Sequence, residues 1–246
     1  MIKQREIKIV FIICIFFLLS CAGPGLKVSD KKETVSMEPR TASNSKTVIW
    51  EPEPRPVAKG NDAQLLVRTS ESMNMLYATH NDKGKQNLFM AKTKNIGDSF
   101  SSPIVVNSEK DEVSAHGENG PKLKQGKGRG IFAAWIGKRD IKFARSMNFG
   151  KSFGPAIRVN DDKGKASQSF FSMDVSPDGK VFLAWLDGRD KKLGKPGTSS
   201  VYIARSVNQG KSFEKNIKIS GDVCPCCRVA LAFGDNGGIC LLASCI

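Results

Sequence analysis

Beyond about residue 60 the chain is built of short runs of apolar residues, many of them β-branched or aromatic. Clusters of glycine, asparagine, aspartate and lysine punctuate these runs at regular spacing. This is the pattern of β-strands joined by tight turns, and it predicts an all-β chain. The runs also come in copies. The stretch "GIFAAWIGKRDIKFARSMNFGKSFGPAIRVN" (130 to 160) aligns with "KVFLAWLDGRD" (180 to 190) followed by "VYIARSVNQGKSFEKNIKIS" (201 to 220). Ala-Trp, Arg-Asp, Ala-Arg-Ser and Asn-x-Gly-Lys-Ser-Phe recur in the same order, and a weaker copy runs from "MLYATHND" through "LFMAKTKNIGDSFSSPIVVN". The central glycines, Gly97, Gly150 and Gly210, stand 53 and 60 residues apart. That is the length of a four-stranded unit, and a period of this size indicates a propeller or a solenoid.

The repeated turn has a chemical logic. Asn95, Asn148 or Asn208 can fold its side chain back onto the backbone as an Asx-turn. Two residues later Gly97, Gly150 or Gly210 supplies a positive φ at no steric cost. Ser99, Ser152 or Ser212 can cap the turn, and Phe100, Phe153 or Phe213 offers an aromatic anchor between sheets. The pattern resembles the Asp-box, Ser-x-Asp-x-Gly-x-Thr-Trp, of the sialidase (neuraminidase) superfamily, with Asn for Asp, Ser for Thr and Phe for Trp. In that family the box marks the fold and takes no part in catalysis.

The resemblance implies a sialidase-like six-bladed β-propeller, of which this sequence supplies about three and a half blades. The fourth unit opens with "CCRVALAFGDNGGICLLA", and Ala243 stands where Trp135 and Trp185 stand in the earlier copies. The expectation is therefore a truncated or frameshifted form of a longer protein. Thr47 to Trp50 would then be a strand that closes the ring against a last blade.

The N-terminus reads differently. Lys3, Arg5 and Lys8 precede an apolar run from Ile9 to Leu19, too short to span a bilayer and suited to a signal peptide. Leu18-Leu19-Ser20-Cys21-Ala22 resembles a bacterial lipobox, which implies acylation of Cys21 and a lipid anchor in the cell envelope. Ala22 suits outer-membrane sorting in a Gram-negative cell. The expected organisation is a signal peptide over 1–20, a proline-containing polar tether over 21–60, and the partial propeller over 61–246. The formal net charge is +14, with lysines scattered rather than clustered. For an exported chain this favours the membrane, a glycan or a protein as partner over nucleic acid.

Sialidases use a tyrosine nucleophile, an aspartate acid/base and three arginines that clamp a carboxylate. Only Tyr77 and Tyr202 are present here, each at an ordinary repeat position, so both are read as structural. The family's Phe-Arg-Ile-Pro signature is missing. In an antiparallel meander successive turns alternate ends. Arg139-Asp140, Arg189-Asp190 and His80 therefore share one face with the inter-blade segments that carry His116, Glu118, Asp161, Asp162 and the cysteine run. That is the ligand face in sialidases. Repetition of Arg-Asp fits either a structural turn or salt bridge, or ligand contact.

The sharpest departure from the repeat is "VCPCCR", with Cys224, Cys226 and Cys227 within four residues. In an exported protein these thiols point to disulfides, Cys224 to Cys227 or one of them to Cys240 or Cys245. With Cys14 and Cys21 set aside the number left is odd, so one thiol stays over. No cofactor is expected. The alternative is copper or zinc on Cys224, Cys226 and Cys227 with His116 or His80, and a redox role is a further alternative. The expected function is glycan or protein binding on the ligand face. Sialidase-type hydrolysis is the enzymatic alternative, and a thiolate metal-binding propeller is the third.

Overall fold

The computed structural model describes residues 9–10 and 59–246, apart from 96, 111, 164–165, 192–197, 235–238 and 244–246. Cys14, Cys21, Thr47 to Trp50, Cys245 and all but the last two residues of the tether lie outside the described residues. So does the signal segment, save β1 (Ile9–Val10), which pairs parallel to a strand of the fourth blade, Ile9 opposite Ile239.

Three four-stranded antiparallel sheets follow one another along the chain, each in meander order. The first blade is β2 (Asn61–Val67), β3 (Met73–His80), β4 (Gln86–Thr93) and β5 (Ile104–Val105). The second is β6 (Lys122–Gln125), β7 (Ile131–Gly137), β8 (Asp140–Ser146) and β9 (Ile157–Arg158). The third is β10 (Gln168–Val175), β11 (Val181–Asp187), β12 (Ser199–Ser206) and β13 (Ile217–Val223). The fourth has β14 (Val229–Phe233) and β15 (Ile239–Ala243). The one helical segment among the described residues is a three-residue 3-10 turn, Gly117–Asn119. The first strands of successive blades pack in the order β2, β6, β10, β14, as strands lining a propeller axis do. The expectation of an all-β propeller of about three and a half blades is what the structure shows.

Side-chain alternation explains why β7 and β11 read as unbroken apolar runs. Successive residues of a strand point to opposite faces, and here each face meets a different blade. Ile131, Ala133 and Trp135 pack with Leu76, Leu88 and Met90 of the first blade. Phe132, Ala134 and Ile136 pack with Met173, Leu183 and Trp185 of the third. The odd positions of β11 join that same cluster, while Phe182, Ala184 and Leu186 pack with Val229, Leu231, Ile239 and Leu241 of the fourth. Every residue of both strands is buried, the composition expected of strands covered on both sides. Tyr77, the first-blade counterpart of Trp135 and Trp185, lies opposite Phe89 in β4, as Trp135 lies opposite Lys142 and Trp185 opposite Tyr202.

The three repeated turns fall between the third and fourth strands of each blade. In each, the residue that ends the third strand acts as the hub. The hydroxyls of Thr93, Ser146 and Ser206 donate to Asn95, Asn148 and Asn208 Oδ1 at 2.7, 2.8 and 2.9 Å. The same hydroxyls accept the N–H of Gly97, Gly150 and Gly210 at 3.0, 2.8 and 2.8 Å. The Asn Oδ1 then accepts the N–H of Ser99, Ser152 and Ser212 at 3.1, 3.1 and 3.0 Å. The glycines have φ of +97°, +69° and +74°, a region other residues enter only with strain. Phe213 meets Phe143 of the preceding blade edge-on at 5.1 Å, and Phe153 and Phe100 pack against their own clusters.

Candidate functional site

The face opposite the repeated turns carries the second-to-third-strand turns and the three inter-blade connections. It divides into two regions, an outer network fixed by hydrogen bonds and a charged centre near the axis.

The outer network is built on Arg189. Its guanidinium pairs with Asp187 at 2.8 Å and Asp161 at 2.5 Å, donates to Asn216 Oδ1 at 3.0 Å, and stacks over the Tyr202 ring at 4.1 Å. Asp187 is fully buried and also accepts the Trp185 indole N–H at 2.7 Å. Burial alone would raise the Asp161 carboxyl, but hydrogen bonds from the Asn216 backbone and from Arg189 outweigh it and hold Asp161 below the usual carboxylate range. Tyr202 donates to Asp190 at 3.0 Å, and Lys218 pairs with the same carboxylate at 2.8 Å. Burial and the Asp190 partner push the Tyr202 phenol up to about 12. The ring is buried, stacked with Trp185 at 6.5 Å and covered by the Arg189 guanidinium, the environment of a packed tyrosine. Tyr77 is buried and its hydroxyl is pushed up by that burial.

The two Arg-Asp pairs, equivalent in sequence, are not equivalent in space. Gly137 pairs with Asp140 across a two-residue turn, whereas Asp187 pairs with Ser200. Asp140 thus opens β8 and accepts from Asn160 Nδ2 at 2.8 Å, while Asp190 sits in a longer loop. Arg139 is exposed and Arg189 is held. His80, at the end of β3, is also exposed.

The centre is assembled from the starts of the innermost strands. β2 and β10 each carry an irregularity there, between Asn61 and Gln64 and between Ser169 and Ser172. Within them Asp62 and Phe170 take φ of 53° and 50°. Bulges of this kind re-aim side chains, and strained φ at non-glycine residues collects at functional sites. The 3-10 turn sits between these two strands: Asn119 Oδ1 accepts the Phe170 N–H at 2.6 Å, and a methyl at Gly120 would lie 3.4 Å from Asp62 Cβ. Glu118 on that turn pairs with Arg228, the residue that leads into β14. The hydrogen bond from Arg228 lowers the Glu118 carboxyl. Lys122, at the start of β6, lies over the Phe171 ring at 5.5 Å. Burial lowers its ammonium, as does the charge of Arg228, against the opposing pull of Asp62. His116 is exposed, with its Nε2 3.3 Å from Asn119 Nδ2. Sequence reasoning placed His116 and Glu118 on this face but gave no role to Asp62, Lys122 or Arg228. Their signal is positional, a charge at or next to the first residue of β2, β6 and β14.

The cysteine run forms a tight turn beside Arg228, with the Cys227 N–H donating to the Cys224 carbonyl at 3.3 Å. Cys224, Cys226, Cys227 and Cys240 are free thiols here, and Cys245, the other expected partner, lies outside the described residues. The Sγ atoms of Cys224, Cys226 and Cys227 lie within 4.8 Å of one another, with Cys224 and Cys226 2.7 Å apart. Cys240 lies opposite Ala232, well along β15 from that turn. Hydrogen bonds from Cys226 lower the Cys224 thiol, and burial pushes Cys227 up to about 11.

No family model matches the sequence and no curated protein matches it. Solved structures do. A protein of unknown function from Dyadobacter fermentans is 18% identical with a TM-score of 0.52, over 79% of this chain and 64% of that one. An alpha-L-arabinofuranosidase from Fusarium graminearum in complex with an iminosugar inhibitor is 12% identical with a TM-score of 0.52, over 74% of this chain and 57% of that one. A Hadza microbial sialidase is 14% identical with a TM-score of 0.47, over 76% and 44%. The chain spans less than two thirds of each of these proteins, and at such identities the likeness is one of fold.

Proposed function

We propose that this chain is a ligand-binding propeller of the cell envelope that holds a glycan at the charged centre of the face opposite its repeated turns. The observation that carries this reading is the convergence of Asp62, Glu118, Lys122 and Arg228 from four separate segments onto the starts of the innermost strands. Carboxylates and cations side by side supply the acceptors and donors that sugar hydroxyls require, and Phe171 beside Lys122 offers an apolar ring. The fold shared with the Fusarium arabinofuranosidase is consistent with a sugar ligand. Both tyrosine rings are buried in packing, Tyr77 against Phe89 and Tyr202 against Trp185, which favours binding over sialidase-type hydrolysis. The Leu18 to Ala22 run supports anchoring through an acylated Cys21.

The test is a glycan array followed by titration calorimetry with the full chain, wild type against Arg228→Ala and Lys122→Met. A specific oligosaccharide whose affinity falls about 10-fold or more in both variants, a loss of roughly 1.4 kcal/mol, is the expected result. An array with no specific ligand, or a ligand indifferent to both substitutions, overturns the reading. A fluorogenic sialoside is expected to be left intact, and Cys21→Ser is expected to release the protein from membranes.

A further inference from the structure

We propose that Cys224, Cys226 and Cys227 form a binding site for a single thiophilic metal ion, held by three thiolates with Cu(I) as the fitting occupant. Three sulfurs each about 2.3 Å from a common ion, the usual metal–thiolate length, stand roughly 4 Å apart when the ion lies in their plane. The three Sγ atoms already lie within 4.8 Å of one another. Closing the longest gap slightly and opening the 2.7 Å approach of Cys224 and Cys226 brings them to that spacing by side-chain rotation. The ion is chosen by the donor set. Soft thiolates select Cu(I) or Zn(II), but structural zinc takes four ligands. Among the described residues the group has three members, which three-coordinate Cu(I) satisfies.

The surroundings agree. Cys227 is buried and Cys226 exposed, so the site is shielded on one side and open for delivery on the other. Three thiolates and a monovalent cation leave two net negative charges. That charge faces solvent on the open side at Cys226, since the Arg228 guanidinium, next in sequence, is engaged by Glu118. On binding, each thiol that is protonated gives its proton to solvent, and the copper enters and stays as Cu(I), so no electron changes hands. A disulfide competes poorly for the vicinal pair. The roughly 3.8 Å between consecutive Cα atoms falls short of the 4.4 Å or so that ordinary disulfides span, and any other pairing strands the third thiol.

The experiment uses the full chain in detergent under reducing, anaerobic conditions, with Cu(I) partitioned against bathocuproine disulfonate. The wild type is expected to compete for one equivalent, with a first shell of three sulfurs by X-ray absorption. The Cys226→Ser, Cys227→Ser double variant is expected to bind more weakly by a factor above the roughly 10–100 that an outer partner commands. Because Cys227 is buried, Cys226→Ser alone serves as the fold-safe variant; its melting curve should match that of the apo wild type while its sulfur shell drops by one. Cys240→Ser and His116→Ala should bind as the wild type does. Failure of the wild type to compete, equal retention by the Cys226→Ser variant, preference for Zn(II) over Cu(I), or a disulfide mapped within 224–227 in protein taken from the envelope would each overturn the proposal.

Discussion

The two ends of the blades obey different rules. At one end the same turn is built three times from the same atoms, with matching hydrogen bonds that agree to within about 0.2 Å from blade to blade. At the other end no connection resembles another: one carries a 3-10 turn, one an aspartate that reaches Arg189, one a cluster of thiols. Repetition is what a scaffold requires of each unit, since every blade must pack on its neighbours in the same way. Divergence is where a site can be built. The opposite end is itself divided, because the Arg189 network serves stability in the way a core residue does.

The largest expected effect separates those two parts of the divergent end. Asp187→Ala strands the buried Trp185 indole N–H and takes from Arg189 its one fully buried carboxylate, leaving it Asp161 and Asn216. It should cost about 3–5 kcal/mol, read as a fall in the denaturant midpoint; a cost below about 1 kcal/mol would show the network to be dispensable. Next, the matching glycines should not respond alike. An alanine at any of them meets the positive-φ penalty of roughly 1–2 kcal/mol. At Gly210 the new methyl also overlaps the ring of buried Phe143, at Gly150 it overlaps only the flexible end of Met90, and at Gly97 nothing lies closer than 3.8 Å. The order of destabilisation should be Gly210, then Gly150, then Gly97, with Gly210→Ala near 2–4 kcal/mol once overpacking is added. A flat series would mean that backbone strain alone governs the turn.

Ser206→Ala removes the hub of one turn and should cost about 1–2 kcal/mol without touching ligand affinity. Acid should act on the divergent end. Asp161 and Asp190 are held below the usual carboxylate range, the latter by the hydrogen bond from Lys218. A folded value below the unfolded one adds stability above about pH 4, and that contribution is lost as the pH falls through the folded value. Melting temperature should therefore drop on acidification, and less so in Arg189→Met, whose Asp161 keeps the Asn216 N–H but has lost its ion-pair partner. The smallest change in stability is expected of Glu118→Ala. That exposed ion pair contributes little to the fold, so the melting temperature should stay put while glycan affinity falls. A large loss of stability there would assign the central cluster to the scaffold.

Much of the repeated end was legible in the sequence. Asparagine, glycine, serine and phenylalanine at fixed offsets name a turn chemistry that needs no distant partner. The hub hydroxyls of Thr93, Ser146 and Ser206 stood in the same repeats, but a threonine or serine at a strand end has too many ordinary uses to be singled out. The central charges were harder. Asp62 and Lys122 acquire meaning only when β2 and β6 come side by side, and no local pattern encodes that. Arg139-Asp140 and Arg189-Asp190 were open to a turn or salt-bridge reading, and the ten residues between 190 and 201 mark the longer loop, but sequence alone could not name Asp187, Asp161 and Asn216 as the partners of Arg189. The cysteine run was conspicuous from the start, and what the fold added was the proximity of its three sulfurs.

Every polar contact inside the repeated turn links residues no more than four apart in the chain. Such a turn can close within microseconds and without waiting for any other part of the molecule. The slow steps are then the meetings of finished hairpins, when Trp135 or Trp185 finds the blade before it. Assembly should run outward from the second and third blades, whose apolar strands β7 and β11 have a partner on either side, and the order in which amide protons become protected should record it.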